Sequence, residues 1–330
     1  MRTKKFICFL IAAFLMFTMS AAALAQELIP GGQALGISME TDGVMVAGLI
    51  PVTTNAGEKS PAADAGLMQG DIIVKLGADD INSAEDFISA AKKLGGDETT
   101  LTVKRGEELK QFNITPALCD DGCYKLGLML RDGISGVGTL TFYDPETGVY
   151  GALGHSISDA ESGEALPLGE GNISSAEIVG VIPGQAGTPG ELSGESEGSA
   201  VLGDIRINCG CGIFGVADLR EDEAIELGNM KQGNASIFCT VSGDEVKEYS
   251  IDIDKISSMG GYTVAKLHVT DPQLISLTGG IVQGMSGSPI IQDGCLVGAV
   301  THVFVNDPTG GYGISIQDML SAADDIDTAA

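Results

Sequence analysis

Only three histidines occur in the 330-residue chain, His155, His268 and His302. His155 stands apart, in Gly151-Ala152-Leu153-Gly154-His155-Ser156, at the exit of a strand pattern and between a glycine and a serine. A loop imidazole at a strand end is well placed to act as a general base. His268 and His302 fall inside strand patterns (Leu267-His268-Val269 and Thr301-His302-Val303) and read as hydrogen-bonded sheet residues. A hydroxyl for such a base to activate is offered by Gly284-Met285-Ser286-Gly287-Ser288-Pro289. The glycines beside Ser286 permit a sharp turn, so the N–H groups of Gly284 and Ser286 can converge on one point. That arrangement binds the oxyanion that develops during acyl transfer. Ser288 is the competing hydroxyl. A serine–histidine pair needs a third group to orient the imidazole, and by spacing Asp271, Asp159 and Asp307 all remain open. The chemistry implied is hydrolysis through attack by Ser286, with His155 taking and returning the proton.

The elements that must position these groups follow from periodicity. Ala34–Met39 and Gly43–Val52 read as strands, Ser60-Pro61-Ala62-Ala63 starts a short helix, and Gly70–Leu76 is a strand. Ser83 caps an amphipathic helix that places Phe87, Ala90, Ala91 and Leu94 on one face. Thr99–Val103 and Leu109–Ile114 form a hairpin. After Cys119 no amphipathic helix of useful length is expected before the C-terminal end. Thr139–Tyr143 and Val149–Leu153 alternate around Asp144-Pro145-Glu146-Thr147-Gly148, and short strands with glycine-rich turns continue to Val269. Pro183 to Gly198 reads as a long mobile loop. The fold class expected is mainly β, an α+β module followed by an all-β barrel.

Composition narrows the partners. There are 45 acidic residues against 18 Lys plus Arg, a formal net charge of −27, which excludes nucleic acid as the main partner because phosphate binding needs clustered cations. Residues 1–25 have a basic start (Arg2, Lys4, Lys5), an apolar run and the small-residue exit Ala23-Leu24-Ala25, the pattern of a signal peptide or retained N-terminal membrane anchor. Export is expected either way, and loss of the three cations would deepen the charge to −30. Cys8 lies in this segment. The other six (Cys119, Cys123, Cys209, Cys211, Cys239 and Cys295) could pair in an exported chain. The close pairs could also offer thiolates to zinc, but their spacing fits no zinc pattern, so no metal and no other cofactor is assigned.

Two resemblances organise these readings. Ser60-Pro61-Ala62-Ala63-Asp64-Ala65-Gly66-Leu67-Met68-Gln69-Gly70-Asp71-Ile72-Ile73 resembles the central run of a PDZ domain, and Leu35-Gly36-Ile37 is similar to that family's carboxylate-binding loop. The resemblance implies a PDZ domain over residues 28–117. There a peptide would bind through its C-terminus to Leu35, Gly36 and Ile37 and add as a strand beside the Ser83–Leu94 helix. The loop around Ser286 is similar to the nucleophile loop of trypsin-like serine peptidases. Tyr150–His155, Gln283–Ile290 and Gly298–Pro308 together resemble the stage IV sporulation protein B (SpoIVB) peptidase family. This implies a trypsin-like barrel over residues 118–330, a triad of His155, Asp271 and Ser286, and an oxyanion hole of Gly284 and Ser286. It also implies export to the forespore intermembrane space. The peptidase would there cleave a membrane-bound regulatory protein, and itself, so that an intramembrane protease activates a late sigma factor. The competing expectations are an inactive PDZ scaffold tethering membrane partners and an extracytoplasmic quality-control protease.

Overall fold

The computed structural model describes residues 26–106, 108–158, 163, 165–196, 198–219, 222–324 and 326; the expected export segment and Asp159 lie outside them. Glu27–Pro30 (β1) and Ala34–Leu49 (β2) open the chain. Where two strands were expected, β2 is a single strand of 16 residues serving two cores. Its first half sends Leu35 and Ile37 into a cluster with Leu140, Tyr150 and Ile213. Its second half sends Val44 and Val46 into another with Ile73, Phe87 and Leu101. Gly43, at φ +116°, marks the joint; a Cβ there would sit 2.6 Å from the Ile73 carbonyl oxygen.

The second cluster is the core of the PDZ module. Around it lie helix α1 (Pro61–Ala65), strand β3 (Ile72–Leu76), helix α2 (Ala84–Ala91) and the hairpin of β4 (Thr99–Arg105) with β5 (Glu108–Ile114). Pro61 starts α1, and Gly66 ends it in the left-handed conformation that only glycine adopts freely. The Ser83 hydroxyl accepts from the Asp86 amide to cap α2, whose buried face carries Phe87 and Ala90. Asp71, almost wholly buried, takes both Nε and Nη2 of Arg105 at 2.6 and 2.8 Å and fixes the turn entering β3.

The next long strand, β6 (Leu128–Tyr143), runs antiparallel to β2 from Leu128↔Leu49 to Thr139↔Ala34, with irregularities near Leu130 and Gly133. Its first residues complete the core around α2 and its last residues enter the cluster of Leu35, Tyr150 and Ile213. The cores therefore do not divide at residue 117. Residues 27–40 pack with the C-terminal region, residues 126–130 pack with the N-terminal module, and a continuous two-stranded ribbon joins them.

Strand β7 (Val149–Ala152) pairs with β6 across the expected hairpin. With β8 (Gly171–Ser175), β9 (Val201–Asp204), β10 (Ile207–Cys209) and β11 (Gly212–Val216) it extends the large sheet. The C-terminal half is a closed antiparallel barrel in the order β12 (Gly233–Cys239), β13 (Lys247–Met259), β14 (Tyr262–Val269), β17 (Asp307–Ser315), β16 (Cys295–Phe304), β15 (Pro289–Gln292). Closure removes free strand edges, and Ile237, Ile251, Leu267, Ile290 and Val300 fill the interior. Two sequence expectations change. A short helix, α3 (Pro272–Thr278), stands between β14 and the Ser286 loop, announced by Asp271-Pro272. The Pro183–Gly198 stretch holds the strand Glu191–Glu195 paired with Glu177–Ile182, so it is a sheet edge as much as a loop. Helix α4 (Ile316–Ala323), capped by Ser315, packs across the join of the two β layers.

Candidate active site

The Ser286 loop is clamped from both sides. Strand β6 supplies three hydrogen bonds: the Thr139 amide to the Ser286 carbonyl (2.9 Å), the Thr139 hydroxyl to the Gly284 carbonyl (2.8 Å) and the Thr141 hydroxyl to the Gly287 carbonyl (2.7 Å). Strand β16 receives the Gly287 amide on the Val300 carbonyl at 2.8 Å. Gly287, at φ +95°, is obligatory, since a Cβ would lie 2.1 Å from the Thr139 carbonyl oxygen. Within the loop the Gln283 carbonyl accepts from the Leu192 amide, and the Met285 carbonyl accepts from both the amide and hydroxyl of Ser288. In a trans peptide the N–H points opposite its C=O, so the Gly284 and Ser286 amides are turned away from these partners. Ser288 is fully buried on Met285, which removes it as a competing nucleophile. The Ser286 hydroxyl faces a cleft and donates to the Thr301 carbonyl at 2.7 Å.

His155 reaches the same cleft from β7. Leu153 and Gly154 both adopt positive φ (+69° and +68°), turning the chain out of the sheet at once; in Leu153 that conformation is strained. Asn208, at the start of the β10–β11 hairpin, then holds the loop: its side chain accepts from the Ile157 amide (2.8 Å) and donates to the Ile157 and Leu166 carbonyls (2.9 Å each). His155 Nδ1 lies 2.8 Å from the Ser156 carbonyl oxygen. A carbonyl can only accept, so Nδ1 carries the proton and Nε2 is left as the acceptor. Burial, with a smaller contribution from His302, pulls the His155 imidazole down to about 4, against the Ser156 carbonyl, which pushes it up. His302 stacks on it, ring centroids 4.6 Å apart and tilted by 36°. His302, read from the sequence as a sheet residue, therefore belongs to the site. The period-two pattern of β16 gave its strand but not its face.

Asp271 is brought elsewhere. Its Oδ1 accepts from the Gln273 and Leu274 amides at 2.8 and 3.0 Å, capping α3, and its Oδ2 from the Ser250 amide at 3.4 Å. It is not among the residues lining the cleft. A carboxylate behind an imidazole raises its pKa; that of His155 moves the other way. The expected triad member is thus a helix cap here, and the third position behind Nδ1 is filled by a main-chain carbonyl. Asp307 is spent on the amide and hydroxyl of Thr309.

The expected PDZ carboxylate loop also needs correction. Leu35, Gly36 and Ile37 lie in the middle of a sheet, each paired on one side with β6 (Gly138, Val137, Gly136) and on the other with β8 (Ser175, Ser174, Ile173). Neither edge is free for a peptide. The same apolar–Gly–apolar pattern recurs at Leu126-Gly127-Leu128, and there the geometry suits a carboxylate. The Leu126 and Gly127 carbonyls are taken by the Ala62 and Ile50 amides (3.0 Å each), so the amides of Gly127 and Leu128 point the opposite way. The Ile50-to-Gly127 bond makes Leu49 and Leu128 a non-hydrogen-bonded pair, which turns the Leu128 N–H to the outer edge of β6. That edge faces α2 across a groove of about 720 Å³ lined by Phe87, Ile88, Ala91, Tyr124, Leu128 and Leu130. The module is a PDZ fold whose groove-lining strand comes from beyond its linear end, which is why linear order pointed to the wrong copy of the pattern.

The cysteines contribute a further contact: Cys209 Sγ lies 3.3 Å from Cys211 Sγ, unbonded. Among the described residues, no three His, Cys, Asp or Glu side chains are grouped to hold a metal.

Comparison with known proteins adds to this geometry. Residues 122–320 match the SpoIVB peptidase S55 family, and residues 33–115 match the PDZ domain. The chain belongs to the SpoIVB peptidase S55 family. Its curated relatives match over short segments: a zinc metalloprotease of Clostridium perfringens (30% identity over 69 residues, 21% of each chain) and serine protease HTRA1 of Xenopus tropicalis (37% over 78 residues, 23% of this chain and 15% of that protein). The chain thus spans about a fifth or less of their lengths. Among solved structures, the PDZ domain of an SdrC-like protein from Listeria monocytogenes is 27% identical over 27% of this chain and 87% of its own (TM-score 0.22). The Rv3671c protease of Mycobacterium tuberculosis in its active form is 12% identical over 61% of this chain and 79% of its own (TM-score 0.35). The chain is accordingly mainly β, a PDZ domain followed by a SpoIVB peptidase S55 domain that ends in a closed barrel.

Proposed function

We propose that this SpoIVB-type peptidase is an exported signalling endopeptidase in which Ser286 is the nucleophile and His155 the general base. One observation carries the reading: Ser286 and His155 line one cleft, and the Gly284 and Ser286 amides beside the serine are turned away from the partners that hold the neighbouring carbonyls. Rotation of the Ser286 side chain away from the Thr301 carbonyl turns its hydroxyl toward His155. His155, protonated on Nδ1 and unprotonated on Nε2, takes the hydroxyl proton as Oγ attacks the scissile carbonyl. The Gly284 and Ser286 amides stabilise the oxyanion, each such donor being worth about 3–4 kcal/mol of the barrier. The imidazolium then protonates the leaving amine, and water repeats the cycle on the acyl-enzyme. The Ser156 carbonyl orients His155 in the role first given to Asp271. A polypeptide with a free C-terminus binds at Gly127 and Leu128 and adds beside Leu128–Leu130, bringing substrate to the cleft.

The physiological substrate we infer from the family resemblance is a membrane-bound regulator outside the cytoplasmic membrane, together with this chain itself. Its cleavage would release intramembrane activation of a late sigma factor during sporulation. A scaffold without activity would not need a half-buried serine on the cleft with two amides turned away from the partners of its loop. The test is labelling by a fluorophosphonate, with Ser286→Ala as the control, followed by cleavage of the membrane regulator in a reconstituted membrane. Labelling lost in Ser286→Ala supports the peptidase; a wild-type chain that never labels would leave the scaffold.

A further inference from the structure

The cleft beside Ser286 has a chemical character that bears on what it can cut. It measures about 470 Å³ and its walls come mainly from four segments, the Ser286 loop, β16, the ribbon of β2 and β6, and the His155 loop, with Pro189 added from a fifth. Three of these walls contribute aliphatic groups: Ile281 and Val282 from the first, Val303 from the second with Val305 just past its end, and Ile37 and Val137 from the third. Ile281, Val282 and Ile37 are buried, so their positions are set by the core behind them. Among the described residues, no Asp, Glu, Lys or Arg lines this space. In a chain with 45 acidic residues that is a marked local exception. The two histidines at its mouth are both held toward the neutral form by burial.

We propose, resting on the peptidase reading above, that this cleft selects substrates with an uncharged aliphatic side chain, of the Val, Leu, Ile or Met class, on the acyl side of the scissile bond. A charged side chain entering it would lose its hydration and meet no counter-charge, which is the costliest way to bury an ion. An aliphatic one would exchange water for Ile281, Val282 and Val303. Gly136, beside which a Cβ would meet nothing within 4 Å, keeps the ribbon wall open to such a group.

The experiment uses the full chain without residues 1–25 and fluorogenic peptides that differ only at that residue. Leu, Ile, Val and Met should be cleaved about tenfold to a hundredfold faster than Ala, judged by kcat/KM, and Lys, Arg, Asp and Glu at least a hundredfold slower than Leu. Val303→Asp should narrow the gap between Lys and Leu by at least tenfold. Fluorophosphonate labelling is measured in parallel, because it needs Ser286 and no side-chain pocket. A labelled enzyme that prefers Lys, Arg, Asp or Glu overturns the specificity and leaves the peptidase reading intact. A wild-type chain that neither labels nor cleaves overturns both. Should Val303→Asp fail to label, Val305→Asp, at a half-exposed position on the rim, takes its place. An unchanged Lys-to-Leu ratio in a variant that labels also overturns the proposal.

Discussion

Asp271 is where the family resemblance and the geometry part, and two substitutions separate them. As the cap of α3, its carboxylate satisfies the Gln273 and Leu274 amides and leans on the Ser250 amide. Asparagine offers the same acceptor oxygen and is as good an N-cap as aspartate, so Asp271→Asn should keep both fold and activity. What it forfeits is the favourable charge at the helix N-terminus, about 0.3–1 kcal/mol. Asp271→Ala loses the acceptor altogether and should cost about 1 kcal/mol, a fall in Tm of about 2–4 °C in a chain of this size. Any drop in its turnover should track that loss, because α3 leads directly into the Ser286 loop. If Asp271 instead oriented His155 and supported its charged form, Asp271→Asn would favour the wrong tautomer. It would then lower kcat about 10⁴-fold with little change in stability, as the corresponding change does in serine proteases with a full triad. The assay is kcat/KM on a fluorogenic peptide beside thermal unfolding, for wild type and both variants. A 10³-fold or greater loss of kcat in Asp271→Asn at unchanged Tm refutes the capping argument.

Other perturbations test the rest of the site. With His155 pulled down to about 4, the acid limb of kcat/KM should fall well below the 6.5 of a free imidazole, and His302→Asn, by removing a charge that depresses it, should move that limb upward. The same shift bears on stability. The unfolded chain takes up the proton near 6.5 while the folded one resists it to about 4, so stability should be full above about pH 6.5. It should decline through that window by up to about 3 kcal/mol, readable in urea unfolding at several pH values. Asn208→Ala removes three hydrogen bonds from the loop that carries His155; a tenfold or greater loss of kcat with little change in Ser286 labelling at saturating probe is expected. Ile88→Glu, at a half-exposed position in the α2 groove, should weaken binding of an apolar C-terminal peptide at least tenfold by fluorescence anisotropy without lowering Tm. The amidated peptide should bind weakly to wild type too.

Local chemistry was legible in the chain; long-range pairing was not. Leu153-Gly154 before His155, the glycines around Ser286 and the Ser83 cap each declare themselves within a few residues, because positive φ and capping are local demands. Leu35-Gly36-Ile37 failed for the opposite reason. Whether an apolar–Gly–apolar triplet is a ligand loop or an interior strand depends on what pairs beside it, and its partners here lie about 100 and 140 residues downstream. His302 failed likewise: alternation along β16 identifies a strand, but the bulge near Val303 changes which face each residue takes. Asp271 is one of three acids that spacing leaves open and is preferred through the resemblance; Asp271-Pro272 is also the local signal of a capped helix start, which is how its carboxylate is used.

The ribbon of β2 and β6 gives these separate features one mechanical frame. The outer edge of β6 at Leu128–Leu130 borders the α2 groove, and ten residues along the same strand Thr139 holds the carbonyls of Gly284 and Ser286. Those carbonyls belong to the Ser286 loop, so any shift of β6 along its axis acts on that loop without an intermediary. The strand is not uniform between its ends: its pairing with β2 is interrupted near Leu130 and again near Gly133. Bulges bend and retwist a strand locally and so absorb part of a displacement. Their position, between the groove and Thr139, means that the register of the final segment (Gly133 to Thr139) is set independently by its continuous pairing with Ala34–Glu40. The Ser286 loop thus rests on the regular part of the ribbon, and the groove on the irregular part. That division lets a peptide settle against Leu128–Leu130 without first breaking the hydrogen bonds that hold Ser286.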